Sequence, residues 1–288
     1  MARLALTGAT GFVGRAVLNS ALIAGHEVRA LTRWPQARTH EKLTWVSGAL
    51  GEADAELVEG CDAVIHIAGL IKARRRADYF EVNADAVAAL REAAGERRFV
   101  LLSSLAAREP GLSDYAASKR AGEAALSDHP DALIIRAPAV FGPGDTATRP
   151  LFRLMDRGIL PVAGGTAWRK QRIAYVFIRD LAGYIVEQTT TDLTGTVTPS
   201  TAPGLRWSEF AELSSRAIGR EIRLLPLPPA LLKPVAAATS VTSRLAGVGH
   251  LTLGKLREFR HDDWSVSESI PGATPMVEAL RTTFESYR

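Results

Sequence analysis

The chain has 288 residues, of which 47% are hydrophobic and 23% are charged. A chain of this length buries roughly three quarters of the surface that it exposes when unfolded, and its composition excludes disordered, collagen-like and coiled-coil proteins. The formal net charge is +4, but the arginines are dispersed and only Arg74, Arg75 and Arg76 form a run. Such a short run is typical of a solvated surface, so we expect no nucleic-acid partner.

Cysteine content and apolar patterning indicate the compartment. Cys61 is the single cysteine, so no intramolecular disulfide can form, which fits a reducing compartment. No Cys and His residues have the spacing of a zinc site. The N-terminal apolar segment is too short for a signal peptide, and no segment reaches the ~18 apolar residues of a membrane span. The sequence therefore predicts a cytoplasmic protein without a metal or a membrane span.

In chain order, the first half alternates short apolar segments with segments of helical periodicity. The predicted strands are residues 2–7, 26–32, 42–47, 62–68, 98–104 and 131–137. The predicted helices are residues 12–24, 78–94 and 115–127. Because right-handed crossovers join strands that alternate with helices, we predict an α/β fold with a doubly wound parallel sheet.

The alternation ends after residue 145, around the turn-rich sequence GPGDTATRP. One more strand and helix are predicted within 173–198, and these return to the sheet. We therefore predict a sheet domain of residues 1–145 plus about 173–198. Residues 146–172 and 199–288 are predicted to form a smaller C-terminal substrate-side lobe. Within it, the segment 227–247 is apolar on one side and is interpreted as a packed helix.

A glycine-rich turn lies between the first strand and the first helix. Gly8 permits a tight turn, Gly11 lets the backbone approach a pyrophosphate, and Gly14 lets the helix pack close to the strand. The amides at the start of the helix face the anion. This strand, turn and helix context predicts that the first domain binds NAD(P). The contacting residues would be Gly8, Thr10, Gly11, Phe12, Val13 and Gly14.

The end of the second strand indicates which dinucleotide binds. An acidic residue would hold the adenosine ribose of NAD at this point, but the strand ends in Thr32 and Arg33. A guanidinium can make a two-pronged contact with the 2′-phosphate of NADP, and Arg15 and Arg38 could assist. We predict NADP as the cofactor, with NAD as the alternative.

Tyr115 and Lys119 are four residues apart in a predicted helix, so they share one face. Ser104 ends the strand that precedes this helix, and ligands bind at the carboxyl ends of strands in open parallel sheets. A tyrosine is too weak an acid or base near neutral pH unless a cation stabilises its phenolate, and Lys119 can supply that charge. We predict Ser104, Tyr115 and Lys119 as catalytic residues of an oxidoreductase, with Lys119 also holding the nicotinamide ribose.

The motifs together resemble the extended or atypical short-chain dehydrogenase/reductases, the group described as NAD-dependent epimerase/dehydratase-like. The matching pieces are TGATGFVG (7–14), CDAVIHIAG (61–69), EVNADAV (81–87), VLLSS (100–104), YAASK (115–119), RAPAVFGPGD (136–145) and YVFIRDLA (175–182). The resemblance implies a Rossmann sheet. It also implies that Ala68 and Gly69 line the cofactor cleft, that Asn83 lies in a helix behind the active site, and that Pro138 and Val140 lie beside the nicotinamide. Similar proteins often form homodimers.

Three departures from the family pattern bear on function. Ala49 stands where the family commonly carries an aspartate that recognises adenine. Leu105 and Ala106 replace the Asp-Glu pair that performs elimination in the family's dehydratases, so dehydration is not expected. Ten residues separate Ser104 from Tyr115, fewer than in sugar-nucleotide epimerases.

We therefore predict an NADP-dependent reductase or dehydrogenase that acts on a carbonyl or secondary alcohol of a small, partly apolar molecule. Two alternatives stay open. A nucleotide-sugar epimerase with tightly held NAD would use Arg172 to bind a pyrophosphate, as similar epimerases do. A non-catalytic dinucleotide-binding regulator or accessory subunit would use the fold without turnover.

Overall fold

Strands joined by helices build the first half of the chain, in the order that the sequence predicts. The computed structural model describes residues 1–163, 167–228, 230 and 253–288. Its strands are β1 (Arg3–Thr7), β2 (Glu27–Thr32), β3 (Leu43–Ser47), β4 (Ala63–His66), β5 (Arg98–Ser104), β6 (Ala132–Ala137), β7 (Ala139–Phe141), β8 (Ile159–Ala163), β9 (Arg172–Phe177), β10 (Gly195–Val197), β11 (Ala202–Leu205), β12 (Arg223–Leu227) and β13 (Asp263–Trp264).

The helices of the same described ranges are α1 (Phe12–Ile23), α2 (Asp54–Val58), α3 (Arg76–Phe80), α4 (Ala86–Ala94), α5 (Asp114–Ala124), α6 (Arg149–Asp156), α7 (Ile178–Glu187), α8 (Trp207–Ile218), α9 (Leu253–Arg260) and α10 (Met276–Glu285). A π-helical turn, Glu81–Asp85, joins α3 to α4, and a short 3-10 helix, Leu105–Arg108, follows β5.

The chain folds into two units. The first comprises Met1–Arg136 and Leu181–Val197, and the second comprises Ala137–Asp180 and Thr198–Arg288.

A seven-stranded parallel sheet with the strand order β10-β6-β5-β4-β1-β2-β3 forms the first unit. In β1, the consecutive residues Leu4, Ala5 and Leu6 are all fully buried, because both faces of a parallel sheet are covered by helices. The strand order reverses between β1 and β4, whose last residues, Thr7 and His66, are paired. Ligands bind at such a switch point in doubly wound sheets. The predicted Rossmann fold is confirmed.

The second unit contains a smaller sheet around β9. Strand β9 pairs with β7 and β13 in parallel and with β11 antiparallel, and β8 pairs with β12 in a separate ribbon. Aromatic side chains form much of its core. Tyr175 stacks on Phe210 with ring centroids 4.5 Å apart, and Phe152 meets Phe284 edge to face at 5.0 Å.

The position of β9 differs from the prediction that residues 173–198 return to the main sheet. Only β10 joins that sheet, beside β6, whereas β9 belongs to the smaller sheet. The physical reason is that an apolar strand pattern reports burial but does not identify the neighbouring strand. The change of unit at Ala137 also precedes the predicted boundary at residue 145. The functional division into a dinucleotide-binding domain and a substrate-side lobe stays a prediction.

No helix in the described part of the chain is long and apolar enough to cross a membrane. The apolar segment 227–247, predicted as a packed helix, lies outside the described residues apart from 227, 228 and 230.

Candidate active site

The glycine-rich turn connects β1 to α1. Gly8 has a φ of +72°, which favours glycine, and a Cβ there would lie 2.7 Å from the Ala68 amide nitrogen. A Cβ on Gly14 would lie 1.9 Å from the Gly8 carbonyl oxygen. Gly11 occupies the N-cap position of α1 and offers no side-chain cap. Side chains at Gly8 and Gly14 would therefore collide with the neighbouring backbone, and the glycines leave an open, concave turn. The first amides of α1 are available there as hydrogen-bond donors for an anion.

Thr7 joins this turn to the end of β4. Its Oγ1 accepts hydrogen bonds from the amides of Ile67 and Ala68, each at 3.2 Å, and lies 3.0 Å from His66 Nδ1. Because Oγ1 accepts from both amides, its own hydrogen is available to His66 Nδ1, and the proton of the neutral ring then sits on Nε2. This network brings Ala68 directly beside Gly8.

His66 is fully buried at this switch point. Burial, together with the nearby positive charge of Lys119, lowers the pKa of its imidazole to about 3. Its Nε2 has no hydrogen-bond partner among the described residues. His66 is therefore neutral at physiological pH.

Lys119 lies on α5, and its ammonium contacts the carboxyl end of β5. Its side chain is 5% exposed, and Nζ donates a hydrogen bond to the Leu102 carbonyl at 2.8 Å. Burial lowers the pKa of Lys119 to about 8, and the negative charge of Glu123 opposes that shift. A Cβ on Gly69 would lie 3.7 Å from Nζ. The structure thus brings the predicted residues Lys119 and Gly69 together.

Tyr115 is the second residue of α5 and precedes Lys119 by about one helical turn. Its half-buried ring meets the ring of Tyr79 edge to face, with centroids 6.4 Å apart. Ser104 ends β5, and its Oγ accepts a hydrogen bond from the Ala106 amide at 3.2 Å. The hydroxyl hydrogen of Ser104 has no acceptor within the described part of the chain, so this group can donate to a ligand.

Asn83 ties α5 to the loop after β4. Its Oδ1 accepts from the Leu70 amide at 2.7 Å, while Nδ2 donates to the Leu70 carbonyl and to Ser118 Oγ, both at 2.9 Å. Ser118 Oγ in turn donates to the Tyr115 carbonyl at 2.8 Å. Asn83 is 1% exposed and lies in the π-helical turn. This chain of bonds fixes the backbone that carries Tyr115.

Glu123, one turn beyond Lys119 on α5, is a buried carboxylate that the sequence analysis did not select. Ser103 and Arg136 both donate hydrogen bonds to it. Its spacing of four residues from Lys119 is the signal that could have identified it. Thr7 and His66 were missed as well, because only the folded sheet pairs the ends of β1 and β4.

The remaining predicted cofactor residues of the first unit lie at its surface or close to it. Thr10 is exposed, and Phe12 and Val13 are half-buried in the first turn of α1. Arg33 follows β2 and is exposed, without an ion pair to any described residue. Its neighbour Trp34 is 72% exposed. Arg33 can therefore reach a ligand at the carboxyl end of β2.

Three predicted residues belong to the second unit. Pro138 is buried between β6 and β7, and Val140 is half-buried in β7. Arg172 is exposed at the start of β9, where its guanidinium donates to the Gly204 carbonyl at 3.2 Å. Their predicted ligand contacts stay predictions. Within the described ranges, no three His, Cys, Asp or Glu side chains are placed to hold a metal ion.

Comparison with known proteins identifies the family. Residues 4–191 match the NAD dependent epimerase/dehydratase family. A curated relative, the ceramide reductase of Caulobacter vibrioides (strain NA1000 / CB15N), is 39% identical over 303 residues that cover 99% of this chain and 94% of the relative.

Solved structures share the fold at lower identity. Human epimerase family protein SDR39U1 with NADPH has a TM-score of 0.72 and 19% identity, covering 98% of this chain and 99% of that protein. MoeE5 in complex with UDP-glucuronic acid and NAD has a TM-score of 0.71 and 20% identity, covering 99% of this chain and 98% of that protein.

These findings confirm the predicted enzyme class and the resemblance to the extended short-chain dehydrogenase/reductases. The protein is a nicotinamide-dependent enzyme with an oxidoreductase or epimerase-like role. The chain belongs to the NAD dependent epimerase/dehydratase family.

Proposed function

We propose that this enzyme is an NADP-dependent reductase that converts a carbonyl group to a secondary alcohol, with Ser104, Tyr115 and Lys119 as its catalytic residues. The observation that carries the proposal is the Lys119 ammonium. It is buried against the end of β5, one helical turn after Tyr115. A cation in this position supports proton transfer by a phenol, which is the chemistry that carbonyl reduction requires.

The residues present fit a dinucleotide. The cradle formed by Gly8, Gly11 and Gly14 admits backbone close to a diphosphate, and the uncapped start of α1 supplies amide donors. Ala68 and Gly69 continue this surface at the end of β4. When bound, the nicotinamide dinucleotide supplies the hydride.

The preference for NADP over NAD is part of the proposal. Thr32 and Arg33 stand at the end of β2, where an NAD enzyme would carry an acidic residue. An exposed arginine without an ion pair to a described residue suits a 2′-phosphate, because its fork of donors matches phosphate geometry. The solved neighbours include one with NADPH and one with NAD, so the preference rests on Thr32 and Arg33.

The proton is moved by residues of this chain. In the direction of reduction, Ser104 donates a hydrogen bond to the substrate carbonyl and Tyr115 gives its phenol proton to the oxygen as the alcohol forms. The positive charge of Lys119 stabilises the phenolate that remains. Asn83 keeps the backbone of Tyr115 in place through Ser118.

The substrate class that we propose is a long-chain lipid that carries an amide beside the reducible group. It rests on the similarity to the ceramide reductase, which extends over 99% of this chain. An amide carbonyl is a poor hydride acceptor, so the group that is reduced is a ketone on the long-chain base.

The test is to incubate the purified enzyme with NADPH and a long-chain N-acyl amino ketone, and to follow NADPH absorbance and product mass. We expect NADPH oxidation with the gain of two hydrogens by the lipid, and much slower turnover of a short ketone without the acyl chain. An enzyme that leaves the ketone unchanged, retains NAD through purification and interconverts a UDP-sugar is an epimerase, and the proposal falls. An enzyme that binds NADPH but turns over neither substrate class contradicts it in favour of a non-catalytic role.

A further inference from the structure

Glu123 carries a buried carboxylate that takes no direct part in the proposed carbonyl reduction. Its side chain is 5% exposed. Oε1 accepts hydrogen bonds from Ser103 Oγ at 2.6 Å and from Arg136 Nε at 2.9 Å, and Oε2 accepts from the second nitrogen of the same guanidinium at 2.6 Å. Arg120 lies 3.6 Å away on the exposed side. The carboxylate and the Arg136 guanidinium therefore form a two-pronged ion pair.

The position of Glu123 connects the two elements that carry the catalytic residues. It lies on α5 one turn after Lys119 and two turns after Tyr115. Its partner Ser103 directly precedes Ser104 at the end of β5. The bond between Glu123 and Ser103 therefore holds the end of β5 against α5, alongside the bond from Lys119 to Leu102.

The surroundings of Lys119 show why a negative charge matters at this place. Burial favours the neutral amine over the ammonium. On its own helix, Glu123 raises the pKa of Lys119, and Tyr115 lies one turn before it. From β4, His66 brings no charge, because its pKa is about 3. Glu123 therefore supplies the negative charge that favours the ammonium, and Arg136 in β6 holds that carboxylate in place.

We propose that Glu123 is a positioning residue that keeps Lys119 positively charged and fixes the end of β5 relative to α5, with Arg136 as its clamp. The assignment rests on the proposed function for the catalytic role of Lys119. A buried ion pair is by itself weak evidence for a contribution to stability, so the test has to measure the charge of Lys119 directly.

Lysine-selective NMR provides that measurement. The chain has six lysines, Lys42, Lys72, Lys119, Lys170, Lys233 and Lys255. Selective ¹³Cε labelling therefore gives few signals, and Lys119→Met assigns the one of interest. In the wild type we expect this signal to titrate with a pKa of about 8. In Glu123→Gln, which keeps an oxygen acceptor but removes the charge, we expect the pKa to fall by about 1 or more.

Further variants separate the charge from the packing. Glu123→Asp restores the carboxylate and should return the pKa of Lys119 part of the way. Arg136→Gln removes the cation and should leave that pKa equal or higher. The double variant Glu123→Gln, Arg136→Gln removes both charges without leaving a buried arginine unpaired. Loss of the Arg136 cation offsets part of the loss of the Glu123 charge, so we expect the pKa of Lys119 in this double variant to lie between those of the wild type and Glu123→Gln.

An unchanged Lys119 titration in folded Glu123→Gln or in the folded double variant overturns the proposal. If neither variant folds, the pair is structural and the proposal also falls. The NMR measurement needs no substrate, so a failure of the proposed reductase activity would leave it intact. Where turnover is measurable, the alkaline limb of kcat/KM should move to lower pH by the same amount in Glu123→Gln, with a smaller change in the KM for NADPH.

Discussion

The Lys119 ammonium donates a 2.8 Å hydrogen bond to the carbonyl of Leu102. This bond buries a positive charge at the carboxyl end of β5, two residues before Ser104. The cost of burial is visible in the pKa of Lys119, which is lowered to about 8 from 10.5. In the proposed mechanism, the positive charge that stabilises the Tyr115 phenolate is therefore lost within an accessible pH range.

The first prediction is an alkaline loss of activity. Below pH 8 the ammonium is present, and above pH 8 the neutral amine no longer stabilises the phenolate. We expect kcat/KM for carbonyl reduction to fall about tenfold for each pH unit above the pKa, because this parameter reports ionisations of the free enzyme. Steady-state kinetics from about pH 6 to about pH 10 provide the measurement, because a buried lysine titrates within roughly this range. A profile that is flat through pH 8 would contradict the role of Lys119.

The second prediction concerns Tyr115, the proposed proton donor. Tyr115→Phe keeps the ring that contacts Tyr79 but removes the hydroxyl, so we expect kcat to fall by roughly 10²–10⁴ while the Kd for NADPH changes little. Tyr184→Phe removes a phenol from α7 and serves as the matched control with near wild-type turnover. Equal activity in Tyr115→Phe and Tyr184→Phe would remove Tyr115 from the mechanism.

The third prediction compares two glycines that both lie inside helices. A Cβ on Gly14 would lie 1.9 Å from the Gly8 carbonyl, whereas a Cβ on Gly183 would meet nothing within 4 Å. We expect Gly14→Ala to displace α1 from the turn, with loss of dinucleotide binding and a lower free energy of unfolding. Gly183→Ala should stabilise the protein by about 0.5–1 kcal/mol, because alanine restricts the unfolded chain. Chemical denaturation and NADPH titration measure both effects, and unimpaired binding in Gly14→Ala would show that the helix does not need the close approach.

Most of the features that could be predicted from the sequence depend on local patterns. The spacing of Gly8, Gly11 and Gly14 and the pair Tyr115 and Lys119 are set within one turn or one helix. Their structural context therefore follows from neighbouring residues. The end of a strand also follows from the local pattern, so the position of Ser104 at the end of β5 is predictable.

Long-range networks could not be predicted in the same way. Asn83 bonds to Leu70 and Ser118, which are 13 and 35 residues away, and Arg136 reaches Glu123 from the next strand along the chain. Nothing in a single sequence states which buried polar groups will meet. For the same reason the sequence could not predict the sheet to which β9 belongs, because the apolar pattern of a strand does not identify the strands that pair with it.

The fourth prediction is a contribution of His66 to acid unfolding. Its pKa is lowered to about 3 in the folded protein from an ordinary 6.5, so between these values the unfolded chain binds a proton that the folded chain does not. The free energy of unfolding is therefore unaffected by this group above pH 6.5 and falls as the pH drops towards 3, by at most about 1.4 kcal/mol per pH unit.

The prediction is checked by measuring the free energy of unfolding from about pH 7 to about pH 4. An ordinary histidine becomes charged within roughly this range. His66→Gln retains polar atoms near Thr7 but cannot acquire the charge, so its stability should fall less steeply with acid than that of the wild type. Parallel curves for the two proteins would mean that His66 is protonated in the folded state as easily as in the unfolded one.

The fifth prediction concerns the choice between the two nicotinamide dinucleotides. Arg33 is exposed after β2, and a guanidinium that contacts a 2′-phosphate contributes about 1.5–3 kcal/mol through charge-assisted hydrogen bonds. Arg33→Ala should therefore raise the Kd for NADPH by roughly 10- to 100-fold and leave the Kd for NADH nearly unchanged. NADH is the internal control, because it shares every other contact.

The NADPH affinity should also weaken with added salt in the wild type more than in Arg33→Ala. Tighter binding of NADH than of NADPH by the wild type would overturn the preference, and equal losses for both dinucleotides would mean that Arg33 acts on the fold and not on the phosphate.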